Sequence, residues 1–251
     1  MVTVADSIIL MRGQLNYLVK NGFDVTVISS PGKKLNIAKK EEKVNIKAIK
    51  MERTISPIKD IISLFKIIIY FLKIKPDICN SGTPKAGLLG MLAAWITRVP
   101  FKVYTMRGLP FEGATGLKRK LLILTERVAC ACADKVICIS PSLRKVALNY
   151  KLTSTNKIIV FGSGSSNGLQ LERFEKNESV EAEISSIKNE YNLSKYDFII
   201  GYVGRINNFK GVKETVIAFE RLKKKYKNIA LLLVGPKEKK DPIPEDINQK
   251  I

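Results

Sequence analysis

Short apolar runs alternate with longer amphipathic stretches along nearly all of this 251-residue chain, and that alternation constrains the fold more than any other feature. The runs at Phe23–Ser29, Asp77–Asn80, Phe101–Thr105, Lys135–Ile139 and Lys157–Phe161 are short and largely apolar, as buried strands are. Val44–Lys50 alternates apolar and polar residues with period two, the pattern of a half-exposed strand. Between them, Ile58–Ile74, Lys85–Thr97, Leu117–Ala133 and Pro141–Tyr150 are long enough to be helices. Strands alternating with helices predict an α/β fold built on a parallel, doubly wound sheet.

The rhythm breaks at Gly162-Ser-Gly-Ser-Ser-Asn-Gly168, a turn-rich stretch, and then resumes. Ser179–Tyr191 reads as a polar helix, Asp197–Gly204 as a strand, Val212–Tyr226 as a helix and Ile229–Gly235 as another strand. A parallel pair of strands is too small to stand alone. The expected organisation is therefore an N-terminal Rossmann-like domain over 1–165. Over 166–251 we expect a linker and the first part of a second Rossmann-like domain. The glycines of the 162–168 stretch have the spacing G-x-G-x(3)-G with no helix opening directly after them, which argues against a nicotinamide oxidoreductase.

Charge narrows the partners. The formal net charge is +20, and of 43 basic residues 33 are lysine and 10 arginine. A basic surface suits nucleic acid, anionic lipid or a phosphorylated substrate. Reading bases favours arginine, and no RNP, zinc-finger or helix-turn-helix pattern is present, so no nucleic-acid partner is expected. The chain has no histidine, and Cys79, Cys130, Cys132 and Cys138 contain no C-x-x-C pair. Neither a disulfide framework nor a metal site is expected, and a reduced cytosolic compartment is the simplest setting. No signal peptide opens the sequence, and Asp60–Ile74 is too short, and interrupted by Lys66, to span a bilayer. The expectation is a cytoplasmic protein, peripheral at most on the inner face of the plasma membrane.

Lys59, Lys66 and Lys73 recur every seven residues in Ile58–Ile74, on a face opposite isoleucine, leucine and phenylalanine. Two readings stand: a basic amphipathic helix on a lipid surface, or an ordinary helix packing its apolar side on the sheet. Lys118-Arg119-Lys120 at the start of Leu117–Ala133 oppose the helix dipole and hint at an external anion.

Ligands of doubly wound sheets bind at the carboxyl ends of the strands, where helix N-termini present free N–H groups. The sharpest candidate is Gly201-Tyr-Val-Gly-Arg-Ile-Asn-Asn-Phe-Lys-Gly211. A strand ends at Gly204, and Arg205 and Lys210 flank a helix opening at Gly211, an arrangement suited to a diphosphate. Thr83-Pro84 is a second helix start, with Lys85 beside it. Capping with a solvated lysine explains the trio, and so does an anion site. Ser140-Pro141 repeats the same grammar and reads as structural.

The Gly204–Gly211 segment resembles the G-R-x(4)-K-G element of family 4 retaining glycosyltransferases. Thr83-Pro-Lys-Ala-Gly87, Tyr104-Thr-Met-Arg-Gly-Leu-Pro-Phe-Glu112, Val136-Ile-Cys-Ile-Ser-Pro-Ser142 and Asn167-Gly168 followed by Phe174 resemble successive motifs of bacterial members that build capsular or other surface polysaccharides. The resemblance implies GT-B architecture, with two facing Rossmann domains. It implies transfer, with retention, of a hexosyl or N-acetylhexosaminyl unit from a nucleoside-diphosphate sugar to a lipid-linked or saccharide acceptor, with no cofactor and no obligatory metal. It assigns the donor diphosphate to Arg205 and Lys210, with Gly204 and Gly211 in the same loop.

The departures from the family pattern carry expectations of their own. Arg107 stands where many members have a histidine, in a T-x-H-G element. Arginine stays protonated, so the implied catalytic role is electrostatic and general-base chemistry is excluded. Glu112 orients Arg107 or forms a surface pair with it. Ser7 and Arg12 are expected in the cleft, with Thr83 and Lys85 on its acceptor side; the first strand looks clipped at Val2–Ser7, and its loop lacks the usual glycine. The family's paired glutamates, eight positions apart, have no counterpart after Pro236. The chain is therefore expected to stop within its second domain, and a non-catalytic membrane-surface binding protein is the alternative.

Overall fold

The computed structural model describes residues 1–168, 171–238 and 241–251, and it separates into two compact units, Met1–Leu169 and Gln170–Ile251. Every paired strand is parallel, so the α/β class expected from the sequence holds in both units.

In the first unit, β1 (Thr26–Ser29) pairs with β2 (Asn45–Ala48). A four-stranded sheet runs β3 (Ile78–Ser81), β4 (Phe101–Met106), β5 (Lys135–Cys138) and β6 (Ile158–Ile159). Residues 1–3 bridge the two sheets. On one side the Val2 N–H donates to the Ile28 carbonyl at 3.0 Å and the Ser30 N–H to the Thr3 carbonyl at 3.2 Å; on the other the Gly82 N–H donates to the Met1 carbonyl at 3.0 Å. The order is therefore β2-β1-(1–3)-β3-β4-β5-β6, the Rossmann order with residues 1–3 as its first strand. The order reverses between residues 1–3 and β3, so the loops leaving Thr3 and Ser81 mark the ligand-binding crevice.

The α-helices of this unit among the described residues are α1 (Gln14–Lys20), α2 (Lys33–Glu41), α3 (Pro57–Ile74), α4 (Pro84–Ile96), α5 (Gly116–Cys132) and α6 (Pro141–Asn149). α4 is apolar all round and buries Ala86, Gly87, Leu89, Gly90, Met91, Ala93 and Ala94, as a helix enclosed by neighbours must. Its partners in the core include Ile67 and Phe71 of α3, Tyr104 and Met106 of β4, and Val136 and Cys138 of β5.

α3 fits neither sequence reading as drawn. Only Ser63, Ile67 and Phe71 are buried, while Ile58, Ile61, Ile62, Phe65, Ile69 and Leu72 are exposed. The core needs only the one i, i+4, i+8 stripe, and among the described residues nothing in this unit covers the other apolar row. The lysines do not lie opposite that row. Lys66 is four residues from Ile62 and three from Ile69 on one side, and three from Ser63 and four from Tyr70 on the other. The lysines run along the edge of the outward apolar face.

The second unit is one βαβ turn: β7 (Phe198–Val203) and β8 (Ile229–Val234) in parallel. It also holds α7 (Glu178–Glu190), the crossover α8 (Val212–Lys225) and α9 (Glu245–Asn248). Ile206, Val212, Val216, Ile243 and Ile247 form its core. Pairing continues past the strands, with the Gly204 N–H on the Val234 carbonyl at 2.9 Å and the Ile206 N–H on the Pro236 carbonyl at 2.9 Å. Among the described residues, no helix is long and apolar enough to cross a membrane.

Candidate functional site

The carboxyl edge of the first sheet is stitched together by two threonines. Thr83 holds the N-cap position of α4 but caps nothing with its side chain. The Thr3 hydroxyl takes that role, accepting the Ala86 N–H at 3.2 Å; Thr83 Oγ1 lies 2.7 Å from it and accepts the Thr3 N–H at 2.9 Å. Ser140, with the same sequence grammar, does cap its own helix, accepting the Leu143 N–H at 3.1 Å. The difference is the neighbour: only Thr83 has the end of the first strand beside it.

Lys85 is neither solvated nor open to an anion. Its ammonium lies 2.6 and 2.8 Å from the two Asp60 carboxylate oxygens and also donates to the Thr54 carbonyl, and its side chain is 13% exposed. Asp60→Asn should leave this ammonium without its counter-charge and destabilise the chain by about 2 kcal/mol, read by chemical unfolding; the pair is not fully buried, so the cost sits below that of a fully desolvated one.

Arg107 opens the loop after β4. Its Nη1 donates to the Gly82 carbonyl at 2.9 Å and its Nε to Ser166 Oγ at 3.1 Å. These bonds occupy two of its five donors. Among the described residues no carboxylate pairs with it. It is half-buried, and that desolvation lowers its pKa, with Tyr104 opposing; the guanidinium nonetheless stays charged. Gly82 makes room for it, because a Cβ there would run into Nη1. Glu112 does not orient it: that residue is exposed on the 3-10 turn Pro110–Gly113, and Gly82 and Ser166 hold the arginine instead.

Ser7 and Arg12 part company. Ser7, on the 3-10 turn Ala5–Met11, joins Thr3, Arg53, Thr83 and Lys85 at a groove of about 640 Å³ floored by Leu88 and Leu92. Arg12 is exposed beside a separate hollow with Ile8, Ile9 and Ile37, and its carbonyl accepts from Asn167 Nδ2 at 2.7 Å. The glycine missing from the first loop appears as Gly13, at the start of α1. That helix start is already occupied, since the Glu42 carboxylate accepts the Gly13 N–H at 2.7 Å and the Asn16 N–H at 2.8 Å.

In the second unit, the Gly204–Gly211 loop joins β7 to α8. Gly211 opens the helix at φ +72°, a conformation that glycine adopts without strain. Asn207 Oδ1 accepts the Lys210 N–H at 3.0 Å, and the Tyr202 hydroxyl lies 3.1 Å from the Arg205 carbonyl and 3.4 Å from that of Lys210, tying the two ends of the loop. The Asp241 carboxylate accepts the Phe209 N–H at 3.1 Å. Arg205 is not free: its Nη1 is 2.9 Å from Glu238 Oε2. The pair is solvent-exposed and weak enough for a phosphate to displace. Lys210 is exposed and has no carboxylate partner among the described residues. Sequence reasoning missed Tyr202, Asn207 and Asp241; the one available signal was a tyrosine inside an apolar strand.

A further pair sits in the first unit's core. The Tyr104 hydroxyl donates to Glu126 Oε2 at 2.8 Å, and burial pushes the Glu126 carboxyl up to about 7 although the tyrosine bond pulls the other way. No cluster of three or more His, Cys, Asp or Glu that could hold a metal occurs among the described residues.

A parallel sheet in Rossmann order, followed by a βαβ unit with a cationic loop at its carboxyl end, defines an α/β protein of the GT-B type. The chain belongs to the glycosyl transferase 4-like family, whose profile matches residues 2–140. CapM of Staphylococcus aureus, a capsular polysaccharide biosynthesis glycosyltransferase, is 43% identical over 246 residues, which cover 98% of this chain and 62% of CapM. An Escherichia coli UDP-Gal:α-D-GlcNAc-diphosphoundecaprenol α-1,3-galactosyltransferase is 33% identical over 126 residues, 49% of this chain and 31% of that protein. Among solved structures, Anabaena HepE in complex with UDP and glucose superposes with a TM-score of 0.71 at 15% identity, covering 100% of this chain and 64% of HepE. The S. aureus MnaA–UDP structure gives 0.60 at 17% identity, covering 100% of this chain and 64% of MnaA. The chain thus spans a little over three fifths of the length of CapM and HepE.

Proposed function

We propose that this chain acts in a glycosyltransferase that moves a hexosyl or N-acetylhexosaminyl unit from a nucleoside-diphosphate sugar to a lipid-linked acceptor, during assembly of a capsular or other surface polysaccharide. Family membership and the names of CapM and the galactosyltransferase support the reaction class and the acceptor class. The observation that carries the reading is Arg107: a half-buried cation at the ligand-binding edge, without a carboxylate partner among the described residues. Such a charge carries a standing desolvation cost that an incoming phosphate removes. Arg205 and Lys210, on a loop held by Tyr202 and Asn207, are the cations for the donor's diphosphate, and they offset the charge that grows on it as the sugar departs. Acting on a lipid-linked acceptor sets the protein at the inner face of the plasma membrane.

Calorimetric titration with UDP tests the donor loop. The combined Arg205→Ala and Lys210→Ala variant should bind at least about tenfold more weakly than the parent, the loss of two charge-assisted contacts. Equal affinity would remove the loop from the donor site.

A further inference from the structure

We propose that the outward face of α3, with the first turns of α5, docks onto an anionic lipid bilayer; this deepens the lipid-linked reading above by naming the surface that meets the membrane. Six large apolar side chains, Ile58, Ile61, Ile62, Phe65, Ile69 and Leu72, are between 50 and 76% exposed on one side of α3. Residues 58 to 72 extend about 21 Å along the helix at the usual rise. Scattered exposed leucines are normal on soluble surfaces, but a continuous row of this length marks an interaction face. α5 extends it: Leu117 is 83% exposed, with Leu121 and Leu124 following. The two helices border one groove, with Ile61 and Leu64 on one wall and Leu121 and Leu122 on the other.

Charge selects the occupant. Lys66 and Lys73 run along the edge of the α3 row, and Lys118 and Lys120 stand exposed at the start of α5, where cations oppose the helix's own dipole. Each helix contains one acid, and both are taken up: Asp60, in the groove, by Lys85, and Glu126, in the core, by Tyr104. The face is therefore apolar and cationic with no unpaired carboxylate from either helix. A second copy of the chain would bring lysine against lysine. An anionic bilayer accepts both parts, with the isoleucine row at the acyl boundary and the lysines reaching the phosphates. The row lies in the interface rather than across it, consistent with the absence of a spanning helix among the described residues.

The test is co-sedimentation of the 251-residue chain with phosphatidylcholine vesicles, with and without phosphatidylglycerol. The parent should pellet with the anionic vesicles and stay in solution with the neutral ones. Phe65→Asp with Ile69→Asp, and separately Lys66→Glu with Lys73→Glu, should each weaken binding about tenfold or more, since one lysine near an anionic surface contributes about fivefold in partition. Circular dichroism verifies that each variant is folded, and the lysine pair keeps the test open if the aspartates perturb the helix. Either variant pelleting like the parent, equal binding to neutral vesicles, or a parent that remains in solution while dimerising through this face overturns the proposal. The two readings fail separately: the α3 variants should retain UDP binding, and the Arg205→Ala/Lys210→Ala variant should still pellet.

Discussion

On the proposed transferase function, Arg107→Met is expected to reduce sugar transfer about 100-fold while leaving the fold intact, the scale on which one preorganised donor to a developing negative charge is lost. The guanidinium is held from behind by the Gly82 carbonyl and Ser166, so its remaining donors stay in one orientation. Methionine replaces the arginine's unbranched stem and keeps its apolar packing, so the effect falls mainly on the lost guanidinium, its charge and its hydrogen bonds. Arg107→Lys should recover only a small part of the rate, because a lysine keeps the charge but loses the planar fork. Gly82→Ala should act in the same direction, because the new Cβ would occupy the guanidinium's place. The measurement is the initial rate of transfer from a nucleoside-diphosphate sugar to lipid extract. A rate within about twofold of the parent would strip Arg107 of its electrostatic role.

The second large effect concerns stability. The buried Glu126 carboxyl has its pKa raised from 4.5 to about 7, chiefly by desolvation. Between those values the folded chain keeps a proton that the unfolded chain releases. The stabilising contribution is therefore fully present below about pH 4.5 and is lost as the pH rises through about 7. A rise of that size corresponds to about 3 kcal/mol across the window. Glu126→Gln keeps an acceptor for the Tyr104 hydroxyl but cannot ionise. Denaturant unfolding followed by circular dichroism should show the parent losing stability from about pH 5 to about pH 8 and the variant losing much less. At the alkaline end the variant should be the more stable of the two. Identical pH dependence in both would mean that this carboxyl does not titrate in the window.

The succession of strands and helices was readable because it depends on local period: β3, β4, β5, β7 and β8 and the helices α3 to α6 and α8 all fall within a few residues of their expected places. What sequence reasoning could not supply depends on partners far along the chain. Thr83 and Ser140 look alike as helix starts, yet one caps its helix and the other is replaced by a threonine 80 residues earlier. Lys85 read as solvated or as an anion ligand because Asp60, which holds it, belongs to another helix. The partner of Arg205 was out of sight because Glu238 follows the next strand. The outward turn of α3 was hidden for a related reason: period alone finds apolar rows but does not say which of two rows meets the core. Glu126 did leave a trace, as a lone acid in the apolar stripe of Leu122, Ala129 and Cys130.

The position of residues 1–3 also bears on how the molecule is made. They leave the ribosome before either of their neighbours in the sheet, which are Ile28 and Ser30 on one side and Asn80 and Gly82 on the other. The centre of the sheet therefore cannot close until about 80 further residues have been synthesised, and the central strand waits longest for its partners. Contacts so distant in sequence slow folding, because a long loop must be ordered before they form. Until then the nascent segment offers unpaired backbone on both edges, which makes vectorial synthesis, rather than dilution from denaturant, the setting in which this unit's folding is best followed.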